Sequence, residues 1–233
     1  QTAHASGIFS EIIVSTDNKL IAETARSVDA KVIIRPKKLS DDYTPILPVI
    51  QHVIEKEKIG SANICLILAT AVFLKTLHLR KALIKLNNDR KLDYVIGVKK
   101  FESEPQRALR INSRGIVSQV YPENTMMRSQ DLESHFFDAG LFSFGRAESF
   151  KKGIHSFGAN TYGIKLGKLE AVDIDTPEDL RYARKVFSLK GLSSKNRVII
   201  RCDTSKQSGL GHYSRCLYLS KELNRKGYES IFL

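Results

Sequence analysis

The sequence predicts an α/β protein: a three-layer α/β/α, Rossmann-like domain with a mostly parallel sheet, then the first β-loop-α unit of a second Rossmann-like domain. Three observations lead there. Short apolar runs of strand length alternate with helix-length segments whose apolar residues recur every three or four positions. Asn63-Ile-Cys-Leu-Ile-Leu-Ala69 is apolar without interruption, the pattern of a central strand covered on both faces. Arg197-Val-Ile-Ile-Arg201 is a fresh strand followed by Ser208-Gly-Leu-Gly211 and a helical stripe.

Taken in order, residues 1–9 read as the end of a helix with Gly7 near its C-terminus. A strand at Glu11-Ile-Ile-Val14 comes next, closed by Ser15-Thr-Asp17. Asn18 caps a helix with Ile21, Ala25 and Val28 on one face, and Lys31-Val-Ile-Ile34 returns as a strand. Arg35-Pro36 ends it and opens a polar loop through Ser40, Asp41, Asp42, Tyr43 and Thr44. Pro45 starts a helix with Ile46, Val49, Ile50, Val53 and Ile54 at helical spacing. After the 63–69 strand, Leu79, Ala82, Leu83 and Leu86 mark another helix and Asp93–Val98 another buried strand. From Phe101 to Gly145 the alternation gives way to short extended pieces and polar loops, an insertion suited to substrate contacts or a dimer surface. It resumes with Arg146–Lys152 and the stretch Val172-Asp-Ile174. Gly191–Asn196 is small and polar and reads as a linker, which divides the chain into residues 1–190, 191–196 and 197–233. In the last unit Cys216, Leu219 and Leu223 form a stripe ending near Gly227, and Tyr228 to Leu233 begins a further strand.

Of 233 residues, 42% are hydrophobic and 27% charged, enough for one substantial core and too apolar for a disordered chain. A formal charge of +12 suits anionic ligands. Aromatics are few, Trp is absent and the basic residues are scattered along helices, so nucleic acid is not the expected partner. No apolar stretch is long enough to span a bilayer or serve as a signal segment, and no membrane partner is expected. The three cysteines, Cys65, Cys202 and Cys216, have neither paired nor metal-ligand spacing, as suits a reducing cytoplasm. Both ends read as cuts through structured sequence.

The stretch that organises the chain is Ala171-Val-Asp-Ile-Asp-Thr-Pro-Glu-Asp179. Side chains two apart on a strand share a face, so Asp173 and Asp175 can converge on one hard cation while Ile174 faces the core. Thr176 reads as an N-cap, Pro177 as the first helical residue, and Glu178 and Asp179 complement the positive helix end. Leu180, Ala183 and Phe187 then share one face. The alternative is two solvated acids beside a well-capped helix. In the last unit, His212 and Arg215 share a face near the free amides of a helix start, which suits a phosphate; the alternative is a plain tight turn.

Val14-Ser-Thr-Asp17, Arg35-Pro36 through Asp41-Asp42, Leu68-Ala-Thr-Ala71 with Phe73-Leu74, and Val172–Asp179 together resemble the acylneuraminate cytidylyltransferase family. Pro105-Gln-Arg-Ala-Leu109, Arg128-Ser-Gln-Asp-Leu132 and Asp138-Ala-Gly140 are most similar to its pseudaminic acid cytidylyltransferases. The ordered set spans about residues 1–188. Gly209-Leu-Gly-His-Tyr-Ser-Arg215 resembles the start of the UDP-sugar hydrolase of the same pathway, a relative of two-domain nucleotide-sugar glycosyltransferases.

The resemblance implies a nucleotidyltransferase in which a sugar hydroxyl attacks the α-phosphate of CTP, releasing pyrophosphate and forming a CMP-linked nonulosonic acid. It implies Mg²⁺ held by Asp173 and Asp175, a site that suits two carboxylates plus phosphate oxygens and waters. It places Arg35 and the backbone around Thr44 at the nucleotide, and Arg107 and Arg128 at the carboxylate of the acidic nine-carbon sugar, which a guanidinium can pair bidentately. Asp138 would accept hydrogen bonds from sugar substituents, and His212 would activate water in the hydrolase part. The alternatives are surface or rim charges for the arginines, a loop threonine, a turn-capping aspartate and a helix-capping histidine. A homodimer is implied as well.

Two departures stand out. The family's N-terminal strand, which belongs in the middle of the sheet, and its glycine- and lysine-rich phosphate loop would precede Gln1, and without them weak CTP binding is expected. Val72 stands where relatives often carry proline. Three readings result: a cytidylyltransferase, a nucleotide-sugar hydrolase, and a non-catalytic binding module whose affinity would fall steeply with salt.

Overall fold

The computed structural model describes residues 1–189, 197–200, 209–225 and 228–232. A short helix, α1 (Thr2–Ser6), ends at Gly7, whose φ of 65° is the left-handed conformation of a helix C-cap. Strand β1 (Ile13–Thr16) then leads to Asn18, whose side chain accepts from the backbone N–H groups of Leu20 and Ile21 and so caps α2 (Lys19–Ser27). The expected face of α2 is rotated. Ala22 and Ala25 are buried while Ile21 and Val28 are exposed, because small side chains let this helix lie close to β2 (Lys31–Ile34), the parallel partner of β1.

Helix α3 (Ile46–Lys56), introduced by Pro45, buries Val49, Ile50 and Ile54. After β3 (Asn63–Ile67), helix α4 (Thr76–Asn88) buries Leu79, Ala82 and Leu86 completely, as the apolar spacing predicts. Strand β4 (Tyr94–Lys100) alternates between two faces. Val95 joins Leu79, Leu86, Leu141 and Phe144 on one side; Tyr94 and Ile96 join Ile50, Ile54 and Phe150 on the other. These two cores, with helices outside each, are the expected three layers. Burial raises the Tyr94 phenol to about 12, and its hydroxyl donates to Ile154 O at 2.8 Å.

The insertion is more regular than expected. A hairpin, β5 (Leu109–Ile111) and β6 (Val117–Gln119), lies at its start, and it ends in an eleven-residue strand, β7 (Phe136–Arg146). Gly140–Phe144 belongs to β7, which runs through the middle of a four-stranded sheet ordered β3-β7-β4-β8, where β8 is Thr161–Leu166. Strands β3, β4 and β8 run one way and β7 runs against them, so the sheet keeps its mostly parallel character with one reversal.

The sheet is divided. Strands β1 and β2 form a separate pair, and β3, expected at the centre and covered on both faces, pairs only with β7 among the described residues. Its Ile64–Ile67 are accordingly only half-buried. The short helix α5 (Ala147–Lys151) comes after β7, and α6 (Pro177–Leu189) begins at the predicted proline. Ala183 and Val186 face the core from α6, whereas Leu180 and Phe187 are exposed, a shift from the expected stripe. Val172–Ile174 pairs with no strand among the described residues.

In the last unit, β9 (Arg197–Ile200), α7 (Gly209–Arg225) and β10 (Glu229–Phe232) form a parallel β-α-β arrangement. Gly209 and Gly211 lie inside the first turn of α7 rather than in a loop before it. Cys216 is buried on α7 and Leu219 is half exposed. The linker 191–196, Cys202, Ser208 and Gly227 lie outside the described residues. Among the described residues, no helix is long and apolar enough to cross a membrane.

Candidate active site

The carboxylate end of the site is built from β7 and the segment before α6. Between the pairs Ile96–Ser143 and Val98–Asp138 the β4–β7 register shifts, a bulge of the kind that re-aims side chains beside active sites. Gly140 sits in it with φ of 62°, and a Cβ there would come within 2.8 Å of Asp173 Oδ2. Glycine is required twice over, by the conformation and by the carboxylate resting against its backbone. Asp138 Oδ1 accepts from Gly140 N at 3.1 Å, which holds it in the same corner. Burial raises the Asp138 carboxyl above its usual range and the Asp173 charge adds to this, while the Gly140 N–H opposes it. Sequence spacing pairs Asp173 with Asp175; the tertiary structure adds Asp138 as its neighbour.

Asp173 is half-buried and Asp175 exposed. They leave an irregular segment, so the shared strand face expected for the pair is not formed. The predicted cap, by contrast, is present immediately after them. Thr176 Oγ1 accepts from Asp179 N at 3.2 Å, and Asp179 Oδ2 accepts from Thr176 N at 2.8 Å and Asp175 N at 3.2 Å. The Thr176 hydroxyl, then the backbone N–H groups, hold the Asp179 carboxyl below its ordinary range.

The segment is anchored on both sides. Val172 packs with Phe73, Ala183 and Val186, and Ala171 joins the main core beside Leu74. Glu170 pairs with the Lys75 ammonium, faces His78 Nε2 at 3.5 Å and accepts from Gly167 N at 3.1 Å. The Lys75 hydrogen bond is the largest influence holding its carboxyl below the usual range. Phe73 and Leu74, singled out in the sequence, thus brace the Asp173 segment from about a hundred residues away in the chain. Val72 N–H donates to Thr70 O at 2.8 Å, a bond that proline in that position cannot make.

The nucleotide-side candidates lie at the ends of β1 and β2. Arg35 N donates to Thr16 O at 2.9 Å, and its Nη2 reaches Ser15 O at 3.5 Å. Arg35 Nε and Ser15 Oγ are buried without a hydrogen-bond partner among the described residues. Thr44 is tied to Asp41, which accepts from its N–H at 2.7 Å and its hydroxyl at 3.0 Å. The Tyr43 N–H, then Thr44, lower the Asp41 carboxyl.

The arginine candidates belong to the insertion. The Arg107 guanidinium donates to the carbonyls of Thr125 and Met127 and so holds the turn just before Arg128. Arg128 is exposed and grips Asp131 with two bonds, at 2.7 and 3.1 Å. The structure therefore brings Asp138 to Asp173 and Arg107 to the approach of Arg128, without a direct contact between the two groups. His212 falls within α7, and its side chain lies outside the described residues. Sequence reasoning passed over Glu170 and Gly140 as functional parts. Gly140 was visible inside the Asp138-Ala-Gly140 motif, whereas nothing local distinguishes Glu170.

Among the described residues no group of three His, Cys, Asp or Glu side chains converges as a complete metal cage. The corner does fit a cation that brings other ligands. It offers hard carboxylate oxygens, and a cation would offset the crowding of Asp138 and Asp173.

Comparison with known proteins adds the family. The chain is 31% identical over 194 residues to the pseudaminic acid cytidylyltransferase of Campylobacter jejuni subsp. jejuni serotype O:2, covering 81% of this chain and 83% of the relative. It is 28% identical over 236 residues to the Helicobacter pylori pseudaminic acid cytidylyltransferase and UDP-2,4-diacetamido-2,4,6-trideoxy-beta-L-altropyranose hydrolase. That alignment takes in 100% of this chain and 45% of the relative, so the chain spans less than half of it. The fold is similar to the solved structure of CMP:2-keto-3-deoxy-manno-octonic acid synthetase complexed with CTP, with a TM-score of 0.54 at 13% identity over 80% of this chain and 86% of that one. Residues 1–205 match the family described as Cytidylyltransferase, and with the fold and the ordered motifs in agreement, the chain belongs to the cytidylyltransferase family.

Proposed function

We propose that this chain is the body of an enzyme that transfers CMP from CTP to a nonulosonic acid, pseudaminic acid first among them, with release of pyrophosphate. The observation that carries the reading is the Asp138–Gly140–Asp173 corner, two carboxylates brought together beside a bulged strand in a chain of the cytidylyltransferase family. Asp173 and Asp175 would hold Mg²⁺, which when bound supplies charge stabilisation for phosphate oxygens. Arg35 and the Thr44 backbone would face CTP. Asp138 would accept from hydroxyl or amide groups of the sugar, with Arg107 and Arg128 on the side of its carboxylate.

Among the described residues, strands β1 and β3 each have a single neighbour, and α1 packs on α4. The hairpin β5–β6 leaves Leu109, Ile111, Ile116 and Val117 exposed, which supports a homodimer through this insertion, checked by light scattering in solution. A cytoplasmic setting agrees with Cys65 being a free thiol.

The test is pyrophosphate release from CTP and Mg²⁺, offered pseudaminic acid and N-acetylneuraminic acid separately, by the chain alone and by the chain extended with the strand and phosphate loop of a relative. Release with pseudaminic acid only, from the extended chain, is the expected result. No release with either sugar from a folded protein overturns the reading. The Helicobacter relative favours a second activity in a longer parent, in which β9-α7-β10 opens a hydrolase domain and His212 activates water. UDP-sugar hydrolysis that depends on His212 would support it.

A further inference from the structure

The Asp173 segment has an unusual means of support. Residues 171–174 join no ladder among the described residues; the bonds there are Ala171 N to Gly167 O at 3.1 Å and Ile174 N to its neighbour Asp173 Oδ1 at 3.0 Å. Side chains must therefore hold it in place. Two of them, Ala171 and Val172, enter two different cores, which fixes depth but allows sliding along an apolar surface. The directional contact is Glu170.

Glu170 reaches across to the start of α4. One carboxylate oxygen meets the Lys75 ammonium; the other faces His78 Nε2 at 3.5 Å and accepts from Gly167 N at 3.1 Å. His78 is well placed for this. It is 7% exposed, and its Nδ1 accepts from Lys75 N at 3.4 Å, so the ring proton belongs on Nε2, toward Glu170. The helix start is itself braced, since Arg80 Nε on α4 donates to Ser6 O of α1 at 2.9 Å. One carboxylate thus closes the 167–170 turn, leads into Asp173 and fastens both to α4.

We propose that Glu170 is a positioning residue whose clamp on Lys75 and His78 sets where the Asp173 carboxylate stands against Gly140. The clamp stands on geometry alone; its consequence for metal affinity rests on the metal role proposed for Asp173.

The experiment compares wild type with Glu170→Gln by hydrogen–deuterium exchange and by titration with Mn²⁺ as a paramagnetic stand-in for Mg²⁺. Exchange in the peptide 168–176 should quicken about tenfold, as losing a charged hydrogen bond implies, with β4 unchanged. Mn²⁺ should bind about tenfold more weakly, the usual effect of removing a group that orients a metal ligand. Lys75→Ala, at an exposed partner, should give the same pattern at about threefold and stands in if Glu170→Gln fails to fold. Unchanged exchange at 168–176, or faster exchange spread equally over β4, overturns the clamp. Local loosening with unchanged Mn²⁺ affinity upholds the clamp and removes the metal role from Asp173.

Discussion

The two ends of the site are held by different means. At the carboxylate end, Asp138 and Asp173 meet where a long central strand, two apolar cores and a polar clamp converge. At the arginine end, both arginines belong to an exposed insertion, where Arg107 donates to two backbone carbonyls and Arg128 makes a surface ion pair. The contrast fits a division of labour. Asp173, proposed to hold a metal, would need close placement, which packing against the cores supplies, while Arg107 and Arg128, proposed to meet the sugar, can sit on a surface that adapts to it.

Five substitutions test that contrast. The largest effect is expected at Asp173→Asn, which should lower kcat by about a hundredfold or more, since the Mg²⁺ proposed there would contribute several kcal/mol at the transition state. Its far-UV circular dichroism should match wild type; an unchanged turnover would break the assignment. Next, Leu141→Ala should cost about 2–5 kcal/mol of stability, because Leu141 is fully buried in the strand that carries the carboxylate end. A urea melt reads it, and a loss under about 1 kcal/mol would mean that the β7 core is not what holds the corner.

A smaller effect should come from Thr176→Ala, about 1 kcal/mol for a lost N-cap. The Asp179 carboxyl in this cap is depressed, so its contribution is complete above the ordinary carboxylate range and fades as pH falls through its folded pKa. Thermal melts at about pH 7 and about pH 3 should therefore separate wild type from Asp179→Asn at the higher pH and bring them together at the lower. The smallest stability change is expected at Arg128→Ala, under about 0.5 kcal/mol, because the pair with Asp131 is exposed. Its effect should fall on the KM for the sugar, by about tenfold for a lost guanidinium–carboxylate pair. A rise confined to the KM for CTP would place this arginine on the other substrate.

Legibility differed along the same line. The caps at Asn18 and Thr176, the proline start of α6, the strand β2 and the buried spacing of α4 could all be read directly, because caps and periodicity are properties of neighbouring residues. The faces of α2 and α6 were misjudged. Bulk suggested Ile21 and Phe187, but close packing chose Ala22 and Val186. The second half of β7, Gly140–Phe144, reads as extended, but its first half does not, because Phe-Phe-Asp-Ala-Gly breaks alternation at the bulge; β8 is hard to read because Tyr162 and Gly163 are both exposed on an edge strand.

By itself the sequence determined the alternation of strand and helix, the anionic preference implied by its charge and the ordered motifs that mark a cytidylyltransferase. Which acids meet was decided only by tertiary structure. Asp138 and Asp173 lie 35 positions apart, and their meeting depends on the bulge in β7, the empty side of Gly140 and the reach of Glu170 to Lys75 and His78. Periodicity describes what a residue does relative to its neighbours in the chain; the approach of two carboxylates depends on how separate elements pack, which no local pattern encodes.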